Sequence, residues 1–255
     1  MKITDHLNRT IELKSKPKRV VSLVPSITET LAGLGLEKNL IAVTRFCRYP
    51  PDVVEQLPKV GGPKNINLEK ISALKPDLVI AVKEENDRSQ ILELSEQVPV
   101  VVFDVNTIEE TFDMLTRLGQ IFDVEKVAKR WVTSITEKTT GFKTSISNHK
   151  ALYLIWKKPW MAAGTDTFIG SMMQLAGFEN IIEGRYPEIN GKEFDKAHII
   201  LLATEPYHFT ETHRKQLATE FPDKKVVLVD GEMFTWYGTH MLKALDYFEQ
   251  VISRW

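Results

Sequence analysis

The side chains best able to do chemistry in this chain gather in short stretches beside prolines and glycines. Arg45-Phe46-Cys47-Arg48-Tyr49 runs into a double proline, and Lys83-Glu84-Glu85-Asn86 follows an apolar run. Further along come Trp156-Lys157-Lys158-Pro159-Trp160, Arg185-Tyr186, Glu205-Pro206-Tyr207-His208 and Phe234-Thr235-Trp236-Tyr237. Core aromatics recur at helical or strand spacing, whereas Trp156, Trp160, Tyr186, Tyr207, Trp236 and Tyr237 fall where loops are expected. Flat apolar faces interleaved with Arg45, Arg48, Lys83, Lys157 and Lys158 suit a large, partly planar ligand with carboxylates or phosphates at its edge. The competing reading is that some of these rings only cap the ends of the fold.

Other chemistries find less support. Cys47, His208, His213 and His240 could offer metal ligands, but no pair has a recognised zinc spacing, and His213 and His240 read as surface or helix-start residues. Cys47 is either a buried, inert thiol or a group at the mouth of a site. Glu84-Glu85 reads as a solvated lip before it reads as an acid/base pair. Without a nucleophile elbow, phosphate loop or dinucleotide fingerprint, the expectation is a binding protein rather than an enzyme, with no catalytic residue, resident metal or cofactor. A net charge of −1 with no long basic run argues against nucleic acid, and a single cysteine excludes an internal disulfide. No apolar run approaches a membrane span or the apolar core of a signal peptide, so the chain is expected not to be membrane-embedded. Cytoplasmic residence is the expectation for the sequence as it stands, with a periplasmic or extracellular protein that has lost its leader as the alternative.

The elements that must position these loops follow from the pattern. Arg19 to Val24, Leu40 to Thr44, Leu78 to Val82 and Val98 to Phe103 are apolar runs of buried parallel strands. Ser26-Ile27-Thr28-Glu29 has the spacing of a capping box and opens a helix, and Asn8-Arg9 reads as a hairpin turn. Later strands are expected at Ala151 to Ile155, Asn180 to Ile182, Ile199 to Ala203 and Val226 to Val229. Between the two sets, Val124, Val127, Ala128, Trp131, Ile135, Phe142 and Ile146 form one stripe of a long helix running from Val124 to about Ser147.

The two flanks look like copies of one plan. Ile66-Asn67-Leu68-Glu69-Lys70-Ile71 before Leu78-Val79-Ile80-Ala81 resembles Ile189-Asn190-Gly191-Lys192-Glu193-Phe194 before Ile200-Leu201-Leu202-Ala203. Val100 to Asp104 likewise resembles Val226 to Asp230, and Gly35-Leu36-Glu37 resembles Gly177-Phe178-Glu179. Three matches in the same order argue for duplicated units. The expected fold is α/β: two Rossmann-like lobes with mainly parallel sheets, residues 1–122 and 149–255, joined by one long α-helix over residues 123–148. Ligands of parallel sheets bind beyond the carboxyl ends of the strands, which here would line a shared cleft.

Arg19-Val20-Val21-Ser22-Leu23-Val24-Pro25-Ser26-Ile27-Thr28-Glu29, together with Asn67-Leu68-Glu69, Leu74-Lys75-Pro76-Asp77-Leu78-Val79-Ile80-Ala81 and the mid-chain helix, resembles the helical-backbone substrate-binding proteins of ABC importers. That family includes binders of vitamin B12, haem and ferric siderophores. The resemblance covers nearly the whole chain and implies a ligand held between two lobes; from the loop residues read above, the expectation is a metal chelate held by Arg45, Cys47, Arg48, Lys83, Glu84, Trp156, Lys158, Trp160, Tyr186, Tyr207, Trp236 and Tyr237. It also implies an ABC permease as partner, docked by a glutamate on each lobe. Glu69 matches the first. In the second copy the repeat register puts Lys192 at the equivalent place, with Glu193 one residue along and the stretch from Phe194 to Ile200 shortened. The alternative function on the same scaffold is a cytoplasmic metal-handling factor or enzyme using Cys47, Glu84, Glu85 and His208.

Overall fold

The β-branched runs become the strands of two parallel sheets in the computed structural model, which describes residues 1–142 and 149–252. The first sheet contains β1 (Val20–Ser22), β2 (Leu40–Val43), β3 (Leu78–Val82) and β4 (Val100–Phe103), in the order β2-β1-β3-β4 with every pairing parallel. Helices cover parallel sheets on both faces, so these strands carry apolar side chains without alternation. All but one of their residues are buried. The second sheet contains β5 (His149–Trp156), β6 (Met161–Ala162), β7 (Phe178–Asn180), β8 (Ile199–Ala203) and β9 (Lys225–Val229). Here β7 pairs with β5, β5 with β8 and β8 with β9, all parallel, while β6 folds back antiparallel on the end of β5. Setting β6 aside, β7-β5-β8-β9 repeats the order of the first sheet, so the duplication read from three short matches is a duplication of topology.

Two compact units result. The first takes Met1–Val105, Glu109–Ser134 and Tyr237–His240, and the second takes Asn106–Ile108, Ile135–Trp236 and the chain from Met241. Tyr237 and His240, expected with the second copy, therefore belong to the first unit. The boundary at Ser134/Ile135 lies inside the mid-chain helix. That helix runs Glu125–Gly141, and its expected stripe is real: Ala128 and Ile135 are buried, Val127 and Trp131 half-buried, and the intervening charges exposed. Asp123, at φ 57°, breaks the chain from the preceding helix Ile108–Phe122, so Val124 precedes the first turn instead of belonging to it. Residues 143–148 of the expected helix lie outside those described.

Local chemistry moved several other boundaries. The helix after β1, α1 (Pro25–Gly33), starts with Pro25 in its first turn and Val24 as N-cap. The expected capping box does not form, because Ser26 is already inside the helix, where its buried hydroxyl has no hydrogen-bond partner among the described residues. Proline preset the first turn and displaced the hydroxyl from the cap. The strand expected at Asn180 to Ile182 begins two residues earlier, since Gly177 at φ 92° ends its helix and Phe178 pairs at once with His149. Trp156 is the last residue of β5 rather than part of a loop, with 157–160 as the turn to β6. A helix whose span was not anticipated beyond the reading of His213 as a possible start, Glu211–Glu220, sits between β8 and β9, with a polar composition that hides its period.

Candidate functional site

Each unit builds its own cluster beyond the ends of its strands. In the second unit the cluster is made of rings. Trp156 at the end of β5 meets Tyr207 edge-on at 5.4 Å, and Tyr207 meets Phe209 at 4.7 Å. Trp160 lies parallel to Phe209 at 6.2 Å and edge-on to Phe194 at 5.7 Å, and Phe194 stacks on Phe221 at 4.9 Å. The β5–β6 turn and the loop after β8 thus hold Trp156, Trp160 and Tyr207 against a core that contains fully buried Phe209, Leu154 and Leu202. Lys157 places its ammonium 5.6 Å from the Trp160 ring centroid, a cation–π distance. Trp156 is 42% exposed, so the array begins in solvent and ends in the core. The inner rings cap the sheet, and the outer one, Trp156, is exposed.

Beside this array lies a polar knot. Glu205 accepts hydrogen bonds from the Thr235 hydroxyl at 2.9 Å and from Trp236 Nε1 at 3.1 Å. Trp236 is consequently buried rather than displayed. Tyr153 is fully buried, and its hydroxyl has no hydrogen-bond partner among the described residues. Burial first, then the Glu205 carboxylate, pushes its phenol well above the usual range. Tyr186 is half-buried under the Arg185 guanidinium, 5.9 Å from its ring centroid, and Lys158 is exposed in the β5–β6 turn. His213 closes the group: its Nδ1 accepts from the Thr210 N–H at 3.1 Å and caps Glu211–Glu220.

The first unit presents charge instead. Lys83, just past β3, donates to Asp104 Oδ2 at 2.5 Å, and Lys64 Nζ donates to the Glu84 carbonyl at 2.7 Å. Glu85 accepts from the Tyr237 hydroxyl at 3.2 Å. Tyr237, like Trp236, is buried, against the expectation of a loop ring facing ligand. Arg45 and Arg48 are exposed in the loop after β2, with the Arg45 guanidinium 5.1 Å from the exposed Phe46 ring. Cys47 departs from its neighbours. It is 3% exposed, and its Sγ lies 3.1 Å from Thr28 Oγ1 and 3.2 Å from Thr44 Oγ1. Burial raises its pKa against the lowering effect of those hydroxyls, so it is the inert thiol of the two readings. Glu69 is exposed at the second residue of the helix Leu68–Ala73, capped by Asn67. Glu193 is likewise the second residue of its helix, Lys192–Lys196, so by position in the helix Glu193, not Lys192, matches Glu69.

The sequence reading missed one arrangement. Glu29 on α1 and His240 pair at 2.7 Å between Oε2 and Nδ1, both buried. The Thr239 N–H reaches Thr30 Oγ1 at 3.4 Å, and Trp131 Nε1 donates to the Gly33 carbonyl at 2.8 Å. The turn Gly238–His240 so clasps α1 closely: Gly238 has φ 80°, and a Cβ there would stand 2.0 Å from Thr30 Oγ1. His240 is therefore a helix-start residue but not a surface one. Nothing in the sequence pairs positions 211 apart. Among the described residues, no three His, Cys, Asp or Glu side chains meet so as to hold a metal ion.

With this geometry, the chain belongs to the periplasmic binding protein family, whose model matches residues 20–205. It is 30% identical over 174 residues to the vitamin B12-binding protein of Pectobacterium atrosepticum, a match covering 65% of this chain and 62% of that protein. It is 31% identical over 191 residues to the uncharacterized ABC transporter substrate-binding lipoprotein YvrC of Bacillus subtilis, covering 70% of this chain and 60% of that one. Among solved structures, a possible iron-binding, periplasmic solute-binding protein from Staphylococcus epidermidis superposes with a TM-score of 0.76 at 22% identity, over 93% of this chain and 99% of that chain. The matched parts thus span somewhat under two thirds of the curated relatives.

Proposed function

We propose that this protein is a non-enzymatic substrate-binding component of an ABC importer and that it takes a metal chelate of cobalamin-like, haem-like or ferric siderophore type. The observation that carries the reading is the ring array from Trp156 through Tyr207 to Trp160, with Lys157 over one face and Lys158 beside it. The exposed Trp156 ring at the head of this array, with the cations of the β5–β6 turn nearby, offers an apolar face that complements a planar chelate with peripheral carboxylates. Family membership and the vitamin B12-binding relative support the ligand class. Within the first unit, Arg45 and Arg48 are exposed in the loop after β2. Glu69 and Glu193, each the second residue of a short helix, are the positions we assign to permease docking.

No helix among the described residues is long and apolar enough to cross a membrane. The periplasmic family description and the lipoprotein relative support residence outside the cytoplasm, the second of the two localisations read from the sequence. Titration with cyanocobalamin, haemin and a ferric siderophore, followed by tryptophan fluorescence, tests the function. Saturable quenching by at least one ligand, weakened in Trp156→Ala, is the expected result. No saturable signal with any of the three would overturn the reading.

A further inference from the structure

Beside the strand-end cluster of the first unit, with which it shares Lys83, lies a cavity of about 380 Å³, within the range of small-molecule sites. Its apolar lining comes from Leu7 in the N-terminal hairpin that pairs Lys2–Thr4 with Thr10–Glu12, Val102 of β4, and Ile91 and Leu92 of the helix Arg88–Ser95. Leu7 and Leu92 are among the exposed large apolar residues of the chain, Leu92 at 51%. The polar groups that reach the cavity are Asn86 and three cations, Arg9, Lys83 and Arg88, with no carboxylate among them.

Two of those cations are committed. Arg9 makes a two-pronged contact to Asp5 at 2.9 and 2.7 Å, and Lys83 is held by Asp104. Asn86 is also occupied, its side chain bridging the Val82 N–H and the Pro63 carbonyl. Arg88 forms no ion pair or side-chain hydrogen bond among the described residues, and it is exposed at the first position of the helix Arg88–Ser95. An apolar trough with one uncommitted guanidinium at its edge matches a molecule with an aliphatic tail and a single anionic head. The head would pair with Arg88 at the solvent edge, where desolvation costs least, and the tail would remove Leu7, Leu92 and Ile91 from water.

We propose that this cavity binds a free medium-chain carboxylate, tail inward and carboxylate on Arg88, independently of the metal-chelate site. Octanoate is the probe, titrated by calorimetry into the whole protein. Saturable 1:1 binding is expected, tightening about fourfold for each methylene from hexanoate to octanoate. Octanol, with the same tail and no charge, should bind several-fold more weakly. Arg88→Glu and Leu92→Asp alter exposed side chains and should each cut octanoate affinity at least tenfold. Lys14→Glu, the same charge reversal at an exposed position outside the lining, should change it less than twofold.

Equal loss in Lys14→Glu and Arg88→Glu would reduce the effect to net charge and overturn the proposal. So would octanoate binding that ignores both Arg88→Glu and Leu92→Asp. Sedimentation with phosphatidylglycerol vesicles in the absence of octanoate binding would also overturn it, by making the patch a membrane contact. Cobalamin, haem and siderophore titrations of the Arg88→Glu protein read the other site separately, so failure of either assignment leaves the other standing.

Discussion

The two units share a strand order and differ in what they set beyond it. In the first, the sheet ends in charged groups: Lys83 held by Asp104, Glu85 held by the Tyr237 hydroxyl, and two exposed arginines. In the second, Trp156, Trp160 and Tyr207 head a chain of touching rings that runs inward to Phe221. Strand order is dictated by buried apolar runs and right-handed crossovers, which tolerate few alternatives. Loops at the carboxyl ends answer to no such demand, so duplicated sheets can keep their topology while their ends diverge in chemistry. The units also differ in how they are closed. The second buries its ring array on a contiguous core, whereas the first depends on a four-residue return of the chain, Tyr237–His240.

That contrast can be broken by mutation. Phe209→Ala removes the ring on which Trp160 and Tyr207 rest and should cost about 4 kcal/mol in urea unfolding, with weaker chelate binding. Little loss in either property would mean that the array is not supported from the core. His240→Ala leaves Glu29 buried without its imidazole and should cost about 3 kcal/mol. Amide exchange should then accelerate in β1 to β4 more than in β5, β8 and β9. Uniform acceleration would show that the two units do not differ in the way they are closed.

Trp156→Ala sharpens the functional half. Its exposed face should matter to ligand and little to folding, giving about a tenfold loss of chelate affinity with a stability change within about 0.5 kcal/mol. The smallest effect concerns His213. Burial, then the charges of Lys157 and His208, holds its imidazole below the ordinary value. The unfolded chain therefore takes up the proton more readily than the folded one. The contribution of this cap is complete above the unfolded value of about 6.5 and is lost as pH falls through the folded one. Urea midpoints between pH 7.5 and 5.5 should fall slightly more for the parent protein than for His213→Ala.

Most of the architecture was legible because buried parallel strands advertise themselves. Leu78–Val82 and Ile199–Ala203 are uninterrupted apolar runs and appear where expected, residue for residue. The helix stripe around Ala128 and Ile135 was equally plain. Glu211–Glu220 was missed because a solvated helix with one buried leucine carries almost no period. At the candidate site, Trp156, Trp160 and Tyr207, all read as loop rings, do come together through Phe209, although Trp156 closes β5 instead of lying in a loop. Cys47, Trp236 and Tyr237 looked alike in sequence, yet they turn inward to Thr28, Glu205 and Glu85, partners 19, 31 and 152 positions away. A local pattern cannot register such partners, and for the same reason it could not register His240 beside Glu29.

The clasp on α1 has a consequence for biosynthesis. A ribosome delivers Glu29 within the first eighth of the chain, but its imidazole arrives only when nearly everything else has been made. Throughout elongation α1 must persist with a buried carboxylate that still lacks this imidazole. Nascent chains halted before residue 238 should therefore be the protease-sensitive ones, however complete their strands.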